Sequence, residues 1–240
     1  MSGAAPMRGC FVTGTDTEVG KTRVSAALLH WLGGQGLRCA GYKPVAAGIE
    51  SIGGEAVNED VRALRDAGSV ALTDAEVGPC QFEAACAPHI AAALEGRTIE
   101  PAVLLQGARR LAAQVDQLVV EGVGGFCVPL GPDFDSADFA VDLGLPVVLV
   151  VGLRLGCINH ALLSAEAIRA RGLRLAGWVA NTVDAGMLQR EENLATLRHE
   201  LGRRHQALCL GVVPRLASPA PAAVAACLDG AALRALFGLA

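Results

Sequence analysis

The chain has 240 residues, 52% of them apolar and 18% charged, enough to bury the core of one large α/β domain. A formal net charge of -4 argues against nucleic acid as the main partner, and no apolar run approaches the ~20 residues of a membrane-spanning helix. Residues Met1–Gly9 hold no apolar block that would act as a secretion signal, so a cytoplasmic protein is expected.

Taken in chain order, GCFVTG reads as a buried strand, and a helix is expected from about Lys21 to Leu32. RCAGYKP predicts a short strand that stops at Pro44, because proline offers no ladder donor. The segment from Ile49 to Glu100 has poor periodicity. DQLVVEG and LPVVLVVG are apolar runs of the kind found in strands buried on both faces. INHALLSAEAIRARG carries helical periodicity and a glycine stop; LRLAGWVANTV and ALCLGVVP supply two more strands, with a charged helix at Leu188–Arg204 between them. The tail APAAVAACLDGAALRALFG reads as helical. Strand and helix in alternation imply a doubly wound α/β fold with a mainly parallel sheet, here as one domain over residues 1–240. The eight cysteines are scattered with no zinc or redox spacing, which predicts reduced thiols.

The junction of the first strand and helix carries the strongest chemical signal. In FVTGTDTEVGKT, a glycine turn ends in Gly20-Lys21-Thr22 at a helix mouth, where unpaired amides and the helix dipole favour phosphate. Lys21 can reach the terminal phosphates and Thr22 can ligate magnesium. Gly14 and Gly20 are separated by five residues, one more than the common phosphate-loop pattern has. Magnesium prefers one or two carboxylates together with phosphate and water. Glu121 is the best donor, since LVVEG ends a buried strand at the sheet edge where ligands bind in such folds. Asp60 in VNEDVRAL is a second candidate, or a helix-start charge. By residue type alone Lys43, before Pro44, reads as a solvated loop charge.

Five stretches in order, FVTGTDTEVGKT, AGYKPVAAG, VVEGVGG, LPVVLVVGLRLGCINHALL and LAGWVANTVD, resemble the dethiobiotin synthetases over almost the whole chain. The resemblance includes the five-residue loop spacing and implies a P-loop NTPase fold. It implies that 7,8-diaminopelargonate, carbon dioxide (or bicarbonate) and ATP react with magnesium present to give dethiobiotin, ADP and phosphate. It further implies that Glu18, Val19, Gly20, Lys21, Thr22 and Arg23 wrap the ATP phosphates, and that Thr22, Asp60 and Glu121 hold the metal. Glu121, Gly122, Val123 and Gly124 would border the nucleotide. Lys43 would be a second catalytic lysine, at an exposed position whose replacement by alanine should spare folding, and Thr17 would lie close to substrate and phosphate.

The resemblance also implies that Gly156, Cys157, Ile158 and Asn159 bind the substrate carboxylate from a neighbouring subunit, so that a homodimer is required. A plain helix start capped by Asn159 is the alternative. Asn181 and Thr182 would recognise adenine beside Pro214, Arg215 and Leu216, although Asn181 and Asp184 are also spaced as in a guanine-reading loop. Ala47 stands where the family commonly has serine, and Arg215 where it can carry an aromatic. His89 resembles a family Pro-His pair but serves equally as a structural histidine. The rival class is a nucleotide-switch ATPase of the partition or division-site type, which needs neither Lys43 nor the Gly156–Asn159 turn.

Overall fold

A computed structural model describes residues 7–52 and 54–239, so most of the N-terminal segment on which the secretion reading rests lies outside the described residues. Strand β1 (Gly9–Gly14) leads through the glycine loop into α1 (Lys21–Gly34) and on to β2 (Cys39–Tyr42). Next come β3 (Val45–Ala47), a hairpin of β4 (Glu50–Ile52) and β5 (Glu55–Val57), α2 (Glu59–Ala67), α3 (Asp74–Val77), β6 (Cys80–Phe82) and α4 (Pro88–Leu94). The chain continues with α5 (Pro101–Ala112), β7 (Gln117–Glu121), a ribbon of β8 (Pro129–Gly131) and β9 (Phe134–Asp135), and α6 (Ser136–Leu143). It finishes with β10 (Val147–Leu153), α7 (Cys157–Ala170), β11 (Leu175–Thr182), α8 (Arg190–His205), β12 (Leu208–Val213), α9 (Pro221–Ala225) and α10 (Gly230–Phe237).

Six strands form one sheet in the order β12-β11-β10-β1-β7-β2, every pair parallel. Its central strands are mostly apolar because both faces are covered, and alternate residues serve two different cores. Phe11, Val120, Leu149 and Trp178 join a core roofed by α5, α6, α7 and α8. Cys10, Val12, Val119, Val148 and Val179 join the opposite core, under α1, α2, α9 and α10. This is a doubly wound sheet of the P-loop NTPase type. Since all six strands point the same way, the loops after β1, β2, β7, β10, β11 and β12 emerge along one edge.

The structure departs from the sequence reading in two segments. The weakly periodic stretch 49–100 folds into the small hairpin β4–β5, the helices α2 to α4 and strand β6, which pairs parallel with β3 just before the stretch, Val45 with Cys80 and Ala47 with Phe82. The C-terminal tail is two short helices rather than one. Asp229 accepts hydrogen bonds from the Ala231 and Ala232 amides and so starts a new helix, while Leu228 bridges antiparallel to Gly211.

Candidate active site

The loop between β1 and α1 is built around Gly20. Its φ of 91° lies in the left-handed region, and a Cβ there would run into the Asn181 side-chain amide, so the position takes glycine. Glu18 is left-handed as well, with φ 59°, at a cost of roughly 1–2 kcal/mol for an L-residue. The extra residue of the loop is accommodated in this strained turn. Two neighbouring strands hold the loop down. Thr15 donates its amide to the Val150 carbonyl (3.0 Å), and the Asn181 amide donates to the Val19 carbonyl (2.8 Å).

Lys21 is buried at the helix mouth and donates to the Asp16 carbonyl at 3.0 Å. Burial and then the nearby Lys43 charge lower its pKa to about 8, against the pull of Glu121, Asp60 and Asp16. Thr22 lies between two carboxylates, its hydroxyl 2.7 Å from Asp60 Oδ1 and 2.9 Å from Glu121 Oε1. Residues from β1–α1, the start of α2 and the end of β7 thus meet at one point.

Lys43 is at the same point, and it is not exposed. Its side chain is 2% accessible, and its ammonium lies 2.6 Å from Glu121 Oε1 and 2.9 Å from Asp60 Oδ2, with the Gly122 carbonyl at 3.2 Å. The expected solvated loop charge is therefore a buried ion pair. Burial works against the Lys43 charge, and the two carboxylates outweigh it and raise its pKa. Burial likewise works against ionised Asp60, yet Lys43 and the Thr22 hydroxyl hold its pKa below the usual carboxylate range.

Other expected residues surround this centre. Thr17 and Glu18 are exposed on the loop, and a side chain at Gly124 would touch the Thr17 hydroxyl, so the Gly122–Val123–Gly124 segment borders the phosphate loop. Arg23 is exposed beside a cleft of about 440 Å³ lined further by Thr22, Ala26, Ala63 and Pro219. Asn181 and Thr182 are buried at the end of β11, the Thr182 hydroxyl without a hydrogen-bond partner; Pro214 and Arg215 are exposed beyond β12, and Leu216 is half-buried. Ala47 is half-buried at the end of β3. His89 makes a structural contact, its Nδ1 3.2 Å from the Pro129 carbonyl oxygen.

At the start of α7, Gly156 occupies the cap position with φ 93°, and no side chain caps the helix. Asn159 is therefore not the cap, and the first amides of α7 have no side-chain acceptor. Cys157 is buried, Ile158 half-buried and Asn159 exposed.

Three residues outside the sequence reading help to position this centre. Asp16 accepts from the Thr17 amide and forms an ion pair with Arg154, which ties the phosphate loop to the segment leading into α7. Asn58 caps α2 by accepting from the Val61 amide and donates to the Gly48 carbonyl at 3.0 Å, fixing the helix that carries Asp60. An asparagine followed by Glu59 and Asp60 is a helix-start pattern, so Asn58 could have been found from sequence. The Asp16–Arg154 pair spans 138 residues and leaves no local signal.

A model of an AAA domain family matches residues 8–222. The chain is 54% identical over 221 residues to the ATP-dependent dethiobiotin synthetase BioD of Aromatoleum aromaticum, covering 92% of this chain and 96% of that protein. It is 53% identical over 226 residues to the protein of the same name from Ralstonia nicotianae, covering 94% and 97%. Among solved structures, the MinC:MinD cell division protein complex of Aquifex aeolicus matches with TM-score 0.57, 14% identity and 97% of each chain. The Pyrococcus furiosus cell division ATPase MinD matches with TM-score 0.52, 18% identity and 87% and 84% of the two chains. At those identities the MinD likeness is one of fold, whereas identity above half over nearly the full length is one of family: the chain belongs to the ATP-dependent dethiobiotin synthetases.

Proposed function

We infer that this chain catalyses the ATP-dependent carboxylation and ring closure of 7,8-diaminopelargonate to dethiobiotin, as one P-loop-type domain acting in a homodimer with magnesium. The observation that carries the residue-level reading is the convergence of Lys21, Thr22, Lys43, Asp60 and Glu121 at the carboxyl edge of the sheet. One substrate amine takes up carbon dioxide as a carbamate. A carbamate oxygen attacks the γ-phosphorus, breaking its bond to the ADP oxygen and giving a carbamic-phosphoric anhydride. The second amine then attacks the carbonyl carbon, the urea ring closes and phosphate leaves with the bonding electrons.

Phosphoryl transfer of this kind depends mainly on positioning and charge neutralisation. The loop Glu18–Arg23 presents its amides to the triphosphate, and Lys21 neutralises the terminal phosphates. Lys43 neutralises the carbamate and the phosphoryl group as it moves, and Thr17 orients the reacting oxygens. Two carboxylates, one of them with the buried and unpartnered Glu121 Oε2, and the Thr22 hydroxyl form an oxygen set that suits magnesium. Among the described residues no cluster of three His, Cys, Asp or Glu side chains could hold an ion alone, which fits a metal that enters with phosphate oxygens. Thr22, Asp60 and Glu121 would hold magnesium there, and the ion would supply charge neutralisation for the triphosphate.

Asn181 gives one amide hydrogen to Val19, which leaves its carbonyl oxygen to accept from the adenine amino group, alongside Thr182 and Pro214–Leu216. Support for the dimer lies on the α7 side of the molecule. Leu155 is 90% exposed next to the open helix mouth and Leu163 is 62% exposed on α7, two large apolar side chains that a second copy receiving the Gly156–Asn159 turn would cover.

Incubation with diaminopelargonate, bicarbonate, magnesium and ATP should yield a product of dethiobiotin mass. Lys43→Ala should yield none, and hydrolysis of ATP without that product would refute the assignment. Lys21 gives a second expectation. Its pKa of about 8 in the empty site must rise when triphosphate binds, so ATP binding should take up protons at about pH 9 and almost none at about pH 7. Titration calorimetry in two buffers of different ionisation enthalpy measures this directly. Lys21→Arg, which stays charged, should remove the difference between buffers; equal heats for the unmodified enzyme at about pH 9 would contradict the role given to Lys21.

A further inference from the structure

The ammonium of Lys43 is fully engaged. Its three N–H donors face Glu121 Oε1, Asp60 Oδ2 and the Gly122 carbonyl, at 2.6, 2.9 and 3.2 Å. The Thr22 hydroxyl closes the other side of the same two carboxylates. Both carboxylates assigned to the divalent ion are therefore already paired with a cation. Glu121 Oε2, by contrast, is buried without a partner. A divalent ion on these carboxylates would stand next to a buried ammonium, where like charges repel strongly because little water intervenes. Both cations cannot keep the same oxygens.

We propose that Lys43 is the counter-ion of Glu121 and Asp60 until the metal–nucleotide complex binds, and that its release from them on that binding is what frees it to reach the carbamate. This rests on the reading of Thr22, Asp60 and Glu121 as the ligand set. The four-carbon stem of lysine allows such a swing, since the charged head can move while the stem keeps its packing. Pairing with Lys43 leaves neither carboxylate uncompensated, and the catalytic lysine is delivered only when the phosphates are in place. A Lys43 whose main role is to hold Glu121 and Asp60 in register for the metal makes the opposite prediction, since its loss would misplace the ligands and weaken metal binding.

Manganese binding without nucleotide separates the two. The free ion is followed by electron paramagnetic resonance in the full-length enzyme at neutral pH. Lys43→Met should bind manganese at least about tenfold more tightly than the unmodified enzyme, and Lys43→Arg no more tightly than it. In metal-free buffer Lys43→Met should melt lower, and manganese should raise its midpoint by more than it raises that of the unmodified enzyme. If Lys43→Met does not fold, Lys43→Gln, which keeps the stem length but not the charge, carries the same expectations. Equal or weaker manganese affinity in the uncharged variants would overturn the proposal while leaving the ligand set intact. If no form binds manganese even with a non-hydrolysable ATP analogue, the ligand set itself is wrong and the proposal falls with it.

Discussion

Glu121→Gln is expected to cut dethiobiotin formation by on the order of 100- to 1,000-fold, and to lower the melting midpoint as well. Both effects follow from its position. The Glu121 side chain is fully buried, it is the nearest carboxylate to the Lys43 ammonium, and it lies 2.9 Å from the Thr22 hydroxyl. Glutamine keeps the shape and removes the charge, so Lys43 is left buried with only the half-exposed Asp60 as counter-charge. Removing one partner of a buried pair costs about 3–5 kcal/mol, which for a chain of this size lowers the midpoint by about 6 °C or more. The penalty should be level across neutral pH. A raised lysine pKa contributes stability that is present below the ordinary lysine value and lost only as pH rises through the raised one. The lowered Asp60 pKa contributes stability that is present above the ordinary carboxylate value and lost as pH falls through the depressed one. Calorimetric melting and product mass analysis check the two halves separately. A variant retaining wild-type turnover would remove Glu121 from the reaction.

The second large effect tests the proposed homodimer, in which the phosphate loop of one subunit meets the α7 turn of the other. Lys21→Met disables the phosphate loop, and Gly156→Val disables the α7 turn, because valine is strained at φ 93°. Each homodimer should be inactive. Mixed and re-equilibrated, the two variants should recover activity at about a quarter of the sites, since half of the dimers are mixed and each mixed dimer has one site with both parts intact. Nucleotide binding by Gly156→Val alone should persist, because its phosphate loop is unaltered. No recovery on mixing, with exchange of subunits demonstrated, would place both parts in one chain.

How much of this was legible in the sequence depended on what each segment packs against. Strands β1, β7, β10 and β11 are covered on both faces, so they spell themselves out as apolar runs, and Gly20-Lys21-Thr22 announced the phosphate loop because glycine, lysine and hydroxyl must be adjacent there. The ribbon β3–β6 could not be read, since its strands are three residues long and pair across 35 positions. The break in the C-terminal tail lay in Asp229, whose capping role depends on amides that only a second helix offers. Lys43 was misjudged for a similar reason. A lysine before proline looks solvated, and the carboxylate that buries it comes from 78 residues downstream. Asp60 and Glu121 could be singled out as acids near the phosphate loop, but their encounter with Lys43 is a property of the parallel sheet edge, not of either segment.

Both margins of the main sheet are sealed. On the β2 side, Ser69 takes the Cys39 amide on its hydroxyl and gives its own amide to the Cys39 carbonyl. On the β12 side, Leu228 bridges to Gly211 and the Asp229 amide donates to the Leu210 carbonyl. A second copy therefore finds few open ladder positions through which to lengthen the sheet, and a strand-swapped or fibrous assembly has little to start from. The proposed dimer would instead have to form through the helical flank, where Leu155 and Leu163 protrude.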